Sequence, residues 1–192
     1  MQDSIEWLNW RSEGIGSSDI PVLFGLCPYR KYEELLIEKI HPDKTQERKT
    51  GYIQELGHQW EVVLRNKIFF EKGIEYTPKL FVDKENPYLR VSLDGYSPEK
   101  NNFIEIKLTG KVKYESILKN IIPDNFLYQI QYQLAVTGCK ECFLWAVRYD
   151  RDKELMGKDI VHKKVKQNKD LQEKILVKVK QVWEIILENR KK

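Results

Sequence analysis

Asp94, Glu105 and Lys107 are the residues of this 192-residue chain whose types and spacing could do chemistry. The stretch reads Leu93-Asp94-Gly95-Tyr96, a polar turn, then Phe103-Ile104-Glu105-Ile106-Lys107. An Asp on a tight turn is thus followed, eleven positions on, by an acid and a lysine that straddle one apolar residue. In a strand over Phe103 to Leu108, Glu105 and Lys107 share one face and Ile104 and Ile106 the other. Carboxylate oxygens are the ligands Mg²⁺ prefers, and a neighbouring ammonium can hold a water or offset charge on a phosphoryl group. The stretch reads as the centre of a metal-dependent nuclease. Asp94 and Glu105 would bind Mg²⁺ (or Mn²⁺), with the backbone carbonyl of Ile106 a further ligand. Glu61 would bind a second metal or orient water, and Lys107 would hold the nucleophilic water or lower its pKa.

A second candidate lies near the N-terminus. Trp10 and Arg11 precede Gly14-Ile15-Gly16-Ser17-Ser18-Asp19, which runs into an apolar stretch ending near Leu26. This pattern predicts a loop feeding a helix with Ser17 or Ser18 as its N-cap. Such an end can hold a phosphate, and the forked donor Arg11 could reach the same anion. A plainly capped helix, with Arg11 in a surface ion pair, fits the same spacing.

The remaining periodicities supply the elements that must position these groups. Short helices are predicted before Cys27 and over Tyr32 to Ile40, then a polar linker over His41 to Thr50. A long helix follows from about Tyr52 to Glu71, with Ile53, Leu56, Trp60, Val63, Leu64 and Ile68 as its buried stripe and Glu61 at the stripe's edge. Lys79–Val82, Leu89–Leu93 and Phe103–Leu108 read as an antiparallel meander punctuated by Asn86-Pro87 and Ser97-Pro98. After a short helix to Asn120, Pro123 and Asp124 open another that Gly138 closes, with Gln129 and Gln133 on one face. Cys142 to Tyr149 reads as a buried strand parallel to an earlier one. A turn from Asp150 to Asp159 leads into Ile160-Val161, and a helix from Asn168 to Asn189 ends the chain.

Composition bounds the reading. The chain is 41% hydrophobic and 32% charged, with no apolar run of membrane-spanning length, so a single domain over 1–192 without a membrane role is expected. Its core would cover about 7–149, with a basic strand and helix extension over about 150–192. From Arg151 to Lys192 there are thirteen Lys and Arg against seven Asp and Glu, while the net charge of the whole chain is only +4. A basic end beside an acidic centre suits a protein that grips a polyanion, although a solvated lysine-rich helix looks the same. The acidic start, Met1-Gln2-Asp3-Ser4-Ile5-Glu6, is unlike a signal peptide, and three cysteines suit a reducing cytoplasm in a bacterial or phage-infected cell. Cys139 and Cys142 have metal-knuckle spacing, but a zinc site or an iron–sulfur cluster needs about four such ligands, so neither is expected.

The motifs, taken in order, resemble those of the YqaJ-like viral recombinases, the lambda-exonuclease branch of the PD-(D/E)XK nucleases. The resemblance rests on Trp10-Arg11 with Gly14 to Asp19, on Gly57-His58-Gln59-Trp60-Glu61, and on Ser92-Leu93-Asp94-Gly95. It extends through Ile104-Glu105-Ile106-Lys107 and the run from Tyr128 to Gly138 that carries the family's QxQ motif. It implies an α/β (α+β) restriction-endonuclease-like core, a central mixed sheet flanked by helices. It also implies that Glu61, Asp94, Glu105 and Lys107 are catalytic, that Gln129 supports them, and that Arg11, Ser18 and Ser17 hold a DNA 5′-phosphate. The implied activity is Mg²⁺-dependent 5′→3′ digestion of one strand of duplex DNA, leaving a 3′ overhang. A ring-shaped trimer and a single-strand-annealing partner are implied as well. The alternatives are a structure- or sequence-specific endonuclease of the same fold and a DNA-binding module without turnover. Leu93 stands where the motif name leads one to expect proline, and the match fades beyond Tyr149.

Overall fold

A computed structural model describes residues 5–42, 51–150 and 159–191. Most of the linker expected over His41 to Thr50, most of the turn expected over Asp150 to Asp159, and the first four residues lie outside that set. The elements run α1 (Ile5–Ser12), β1 (Ile15–Gly16), a 3-10 turn (Ser17–Asp19), α2 (Ile20–Leu23), α3 (Tyr32–Ile40) and α4 (Tyr52–Lys72). They continue through β2 (Thr77–Val82), β3 (Leu89–Ser97), β4 (Asn102–Thr109), α5 (Lys111–Leu118), α6 (Asp124–Thr137), β5 (Glu141–Arg148), β6 (Ile160–Lys166) and α7 (Lys169–Arg190). One mixed sheet has the order β1-β3-β4-β5-β6, with β2 also paired to β3. The expected meander is present, since β2 and β4 both run antiparallel to β3. β5 runs parallel to β4, as a strand returning after a helix should. The two-residue β1, parallel to β3, is too short to leave a periodic signal.

Period-2 alternation divides the sheet between two apolar layers. On one face Val91, Leu93, Phe103, Leu144 and Ala146 meet Ile130 and Leu134 of α6 and Ile175, Val179 and Ile186 of α7. On the other, Ile104, Ile106, Trp145 and Val147 meet Leu64 and Ile68 of α4. The C-terminal strand and helix are therefore built into the main core. The stripe expected on α4 is narrower than its spacing suggested: Ile53 is 43% and Val63 49% exposed, and only Leu64 and Ile68 of the helix are fully buried. Gly73 and Gly138 end α4 and α6 in the left-handed region, where glycine carries no Cβ penalty.

Asp94 is not on a turn, as its Asp-Gly pairing suggested, but inside β3. The glycine is demanded by packing: a Cβ on Gly95 would stand 2.8 Å from Tyr76 Cβ and 2.9 Å from Ile104 Cγ1. Both are closer than carbon atoms can approach, so the bare backbone lets α4's layer and β4 close over the strand beside Asp94. Gly95→Ala should therefore lower unfolding stability by about 1–3 kcal/mol, the usual cost of overpacking a filled core, measured by denaturant titration. An unchanged midpoint would show that this contact is not as tight as described.

Candidate active site

The β3–β4 ladder pairs Ser97 with Asn102, Tyr96 with Phe103 and Gly95 with Ile104. One step further a side chain replaces the backbone partner: Asp94 Oδ2 accepts a hydrogen bond from Ile106 N at 2.7 Å. This exchange fixes the Asp94 carboxylate beside Glu105. Glu105 is 1% exposed and faces α6, where donors surround it. Its Oε1 accepts from Gln129 Nε2 at 2.6 Å and from Lys107 Nζ at 2.6 Å, and its Oε2 accepts from Gln133 Nε2 at 2.6 Å. Glu105 and Lys107 thus share a face, as strand alternation required.

α4 supplies the third acid. Arg65, one turn after Glu61, donates to the Asp94 carbonyl at 2.7 Å and lies 3.7 Å from the Glu61 carboxylate, tying the helix to β3. Burial raises the pKa of Glu61; His58 and Arg65 pull it back, and the charge on Glu105 raises it further. The Asp94 carboxyl is pushed well up by burial and then by the charges of Glu105 and Glu61. For Lys107, burial acts downward but Glu105 and Asp94 outweigh it and raise its pKa, which favours the ammonium. The lysine side chain also lies 5.7 Å from the Phe126 ring, with Lys113 4.8 Å from the same ring.

These carboxylates fit a hard divalent cation by their chemistry and by their mutual repulsion, which positive charge between them would relieve. They are not a ready-made cage: among the described residues no three His, Cys, Asp or Glu are already gathered at metal-ligand spacing. Of about four lone-pair positions on a carboxylate, three on Glu105 are taken by Gln129, Lys107 and Gln133, leaving one on Oε2.

The N-terminal residues also come together, but not as a capped helix. Gly16 holds the cap position, its N–H donating to Asp19 Oδ2 at 3.0 Å, so neither serine is the N-cap. α2 is only four residues long, too short to offer a helix terminus as an anion site. Asp19 is instead a buried hub contacted by Arg11 and Arg30, each at 2.9 Å, and by Lys39 at 3.1 Å. Although burial pushes its carboxyl up, Lys39, Arg11 and Arg30 hold it far below the ordinary range. Three cations on one anion leave excess positive charge there, offset in part by Glu38 at 2.6 Å from Arg30. Arg11 also donates to Ser18 Oγ at 2.9 Å, and buried Ser17 lies 3.4 Å from Gln133 Nε2. Arg30 and Lys39 carried no sequence signal for this hub, and Arg65 carried only its spacing from Glu61. Gln133 was visible as the partner of Gln129 at helical spacing. Gln131, between them, points away and bonds Lys166 O, Asn168 N and Gln172.

A sheet of this order, with helices on both faces and clustered acids where β3 and β4 part, has the fold of the alkaline exonucleases. LHK-Exo from Laribacter hongkongensis superposes with a TM-score of 0.80 at 19% identity, covering 98% of this chain and 95% of that one. A phage-related exonuclease from Haemophilus somnus 129PT superposes with a TM-score of 0.65 at 14% identity, over 90% of this chain and 93% of that one. The YqaJ-like viral recombinase domain matches residues 6–140, and the chain belongs to that family. It is also similar to the uncharacterized protein YqaJ of Bacillus subtilis strain 168, 24% identical over 140 residues. That match spans 69% of this chain but only 42% of the relative.

The raised Asp94 pKa carries a stability consequence. Ionising this carboxyl costs more in the folded chain than in the unfolded one, so it destabilises the fold in full above its folded-state pKa, and the penalty fades as the pH falls from there to the unfolded-state pKa. Metal-free Asp94→Asn should therefore melt higher than the wild type at about pH 8, with the gap closing as the pH falls toward about 4. Thermal melts in a chelator check this; a variant that melts lower at the higher pH would contradict the charge crowding described.

Proposed function

We propose that this chain is a metal-dependent deoxyribonuclease that resects the ends of duplex DNA. The observation that carries the reading is the pairing of buried Glu105 with partly exposed Lys107, 2.6 Å apart, where the charges of Asp94 and Glu61 also act on one another. A purely structural ion pair needs no further acids crowding it at an electrostatic cost. Family membership and the exonuclease fold support the same reading, as does the relative LHK-Exo, one structure of which is a complex with dAMP.

Asp94, Glu105, Glu61 and the Ile106 carbonyl are the groups that would hold Mg²⁺ or Mn²⁺. The cation would supply charge compensation at the phosphoryl oxygens. Lys107 uses one of its three donor positions on Glu105 and offers the rest to the attacking water and the phosphate. Its fixed positive charge counters what develops as water adds to phosphorus and the bond to the leaving oxygen breaks. Gln129 keeps the Glu105 carboxylate from turning. Arg11, Ser18 and Ser17 would seat the terminal 5′-phosphate, which puts the first linkage inward of that end at the acids and gives 5′→3′ digestion with a 3′ overhang. Assembly into a ring and cooperation with a single-strand-annealing protein belong to the same proposal.

Lys107→Ala should slow digestion of linear duplex by about 10²–10³-fold, the usual loss when one charge-stabilising donor is removed, with an unchanged circular dichroism spectrum. Gel assays on 5′-phosphorylated, 5′-hydroxyl and closed circular DNA, each with Mg²⁺ or EDTA, should show metal-dependent loss of the phosphorylated linear duplex first and no nicking of circles. Nicked circles would mark an endonuclease, and a wild-type rate for Lys107→Ala would end the assignment.

A further inference from the structure

Gln133 sits in the main core at 0% exposure, where leucine would pack without any hydrogen-bonding cost. Its amide nitrogen has two hydrogens in a fixed plane. It donates to Glu105 Oε2 at 2.6 Å and lies 3.4 Å from Ser17 Oγ. The orientation is forced, because the reversed amide would set its carbonyl oxygen against a carboxylate oxygen at the same short distance. The consequence is a buried acceptor: Gln133 Oε1 has no hydrogen-bond partner among the described residues. Leaving a buried acceptor unmet is a real cost. It is tolerated here to keep the NH₂ group on Glu105 and Ser17, so packing alone does not account for the residue.

Two further points give the contact direction. Gln133 is the sole described donor to Oε2, the Glu105 oxygen that keeps a lone pair for a cation. Ser17, by accepting from Gln133, is left with its own hydroxyl proton for an anion beside Ser18 and Arg11. A hydroxyl that donates to an anion becomes a better acceptor, so the two contacts reinforce each other.

We propose that Gln133 is a positioning residue that ties the turn at Ser17 to the metal-facing oxygen of Glu105, so that a phosphate seated in the N-terminal pocket is felt at the catalytic carboxylate. The inference rests on the nuclease reading above. Because coupling between two ligands is reciprocal, an end phosphate must change the affinity for the cation.

Mn²⁺ binding to the full chain, followed by electron paramagnetic resonance, reads this without turnover. The chain is saturated with a short duplex whose first linkage is non-hydrolysable, bearing either a 5′-phosphate or a 5′-hydroxyl. In the wild type the two duplexes should give Mn²⁺ affinities about fivefold apart or more. In Gln133→Leu and in Ser17→Ala the difference should fall within about twofold, and the double variant should add nothing to the single ones. Gln133→Met, closer in shape, replaces the leucine variant should that one not fold. Single-turnover cleavage with Mg²⁺ should likewise lose its preference for phosphorylated ends. A residue that only packs would slow both ends alike and keep the wild-type difference. A variant that keeps the full Mn²⁺ difference overturns the relay alone. A wild type that binds Mn²⁺ equally with both duplexes overturns the relay, and one that binds no Mn²⁺ overturns the nuclease reading as well.

Discussion

A carboxylate at 1% exposure must be matched by donors, and most of this fold around Glu105 is arranged to supply them. Lys107 comes from the same strand two residues on, and Gln129 and Gln133 come from successive turns of α6. To bring both amides over β4, α6 must cross that face of the sheet, which it does with Ile130 and Leu134 in the main core. The apolar face of α6 and its two glutamines are thus one design: packing sets the distance, and the amides use it.

The opposite carboxylate obeys a different constraint. Asp94 takes the place of a backbone partner where β3 and β4 cease to pair, and gains only one described N–H, from Ile106. Glu105 is met by three described donors, whereas Asp94 sits in its negative field and in that of Glu61. The asymmetry leaves a deficit of positive charge on the Asp94 side. Lys107 offsets it only in part, since its nearest carboxylate is Glu105. A second polar centre, around Asp19, gathers three cations about one buried carboxylate, with Glu38 as a further acid on Arg30. In the proposed reading a polyanion would place its terminal phosphate at this second centre and its backbone beside the first.

How much of this could be read from the residues alone depended on how local each cause was. Strand alternation placed Glu105 and Lys107 on one face because that rule spans only one intervening residue. The helix carrying Gln129 and the parallel return of β5 followed from punctuation by Pro123 and Gly138 and from the short chain between them. Asp94 was assigned to a turn because Asp-Gly is a turn signal when glycine is needed for its backbone freedom. Here glycine is needed for the space beside Tyr76 and Ile104, which only the fold reveals. Ser17 and Ser18 were expected to cap a helix, but Gly16 holds that position and its N–H is taken by the Asp19 carboxylate. The hub that binds Asp19 draws on Arg11, Arg30 and Lys39, separated by up to twenty-eight positions, and no local pattern announces it.

If Asp94 and Glu105 are two sides of one cation site, anomalous diffraction from crystals soaked in MnCl₂ will show a single strong peak in reach of an Asp94 oxygen, Glu105 Oε2 and the Ile106 carbonyl. That peak will be lost in Asp94→Asn. Manganese bound away from these groups, or a peak that survives that substitution unchanged, would contradict the shared site.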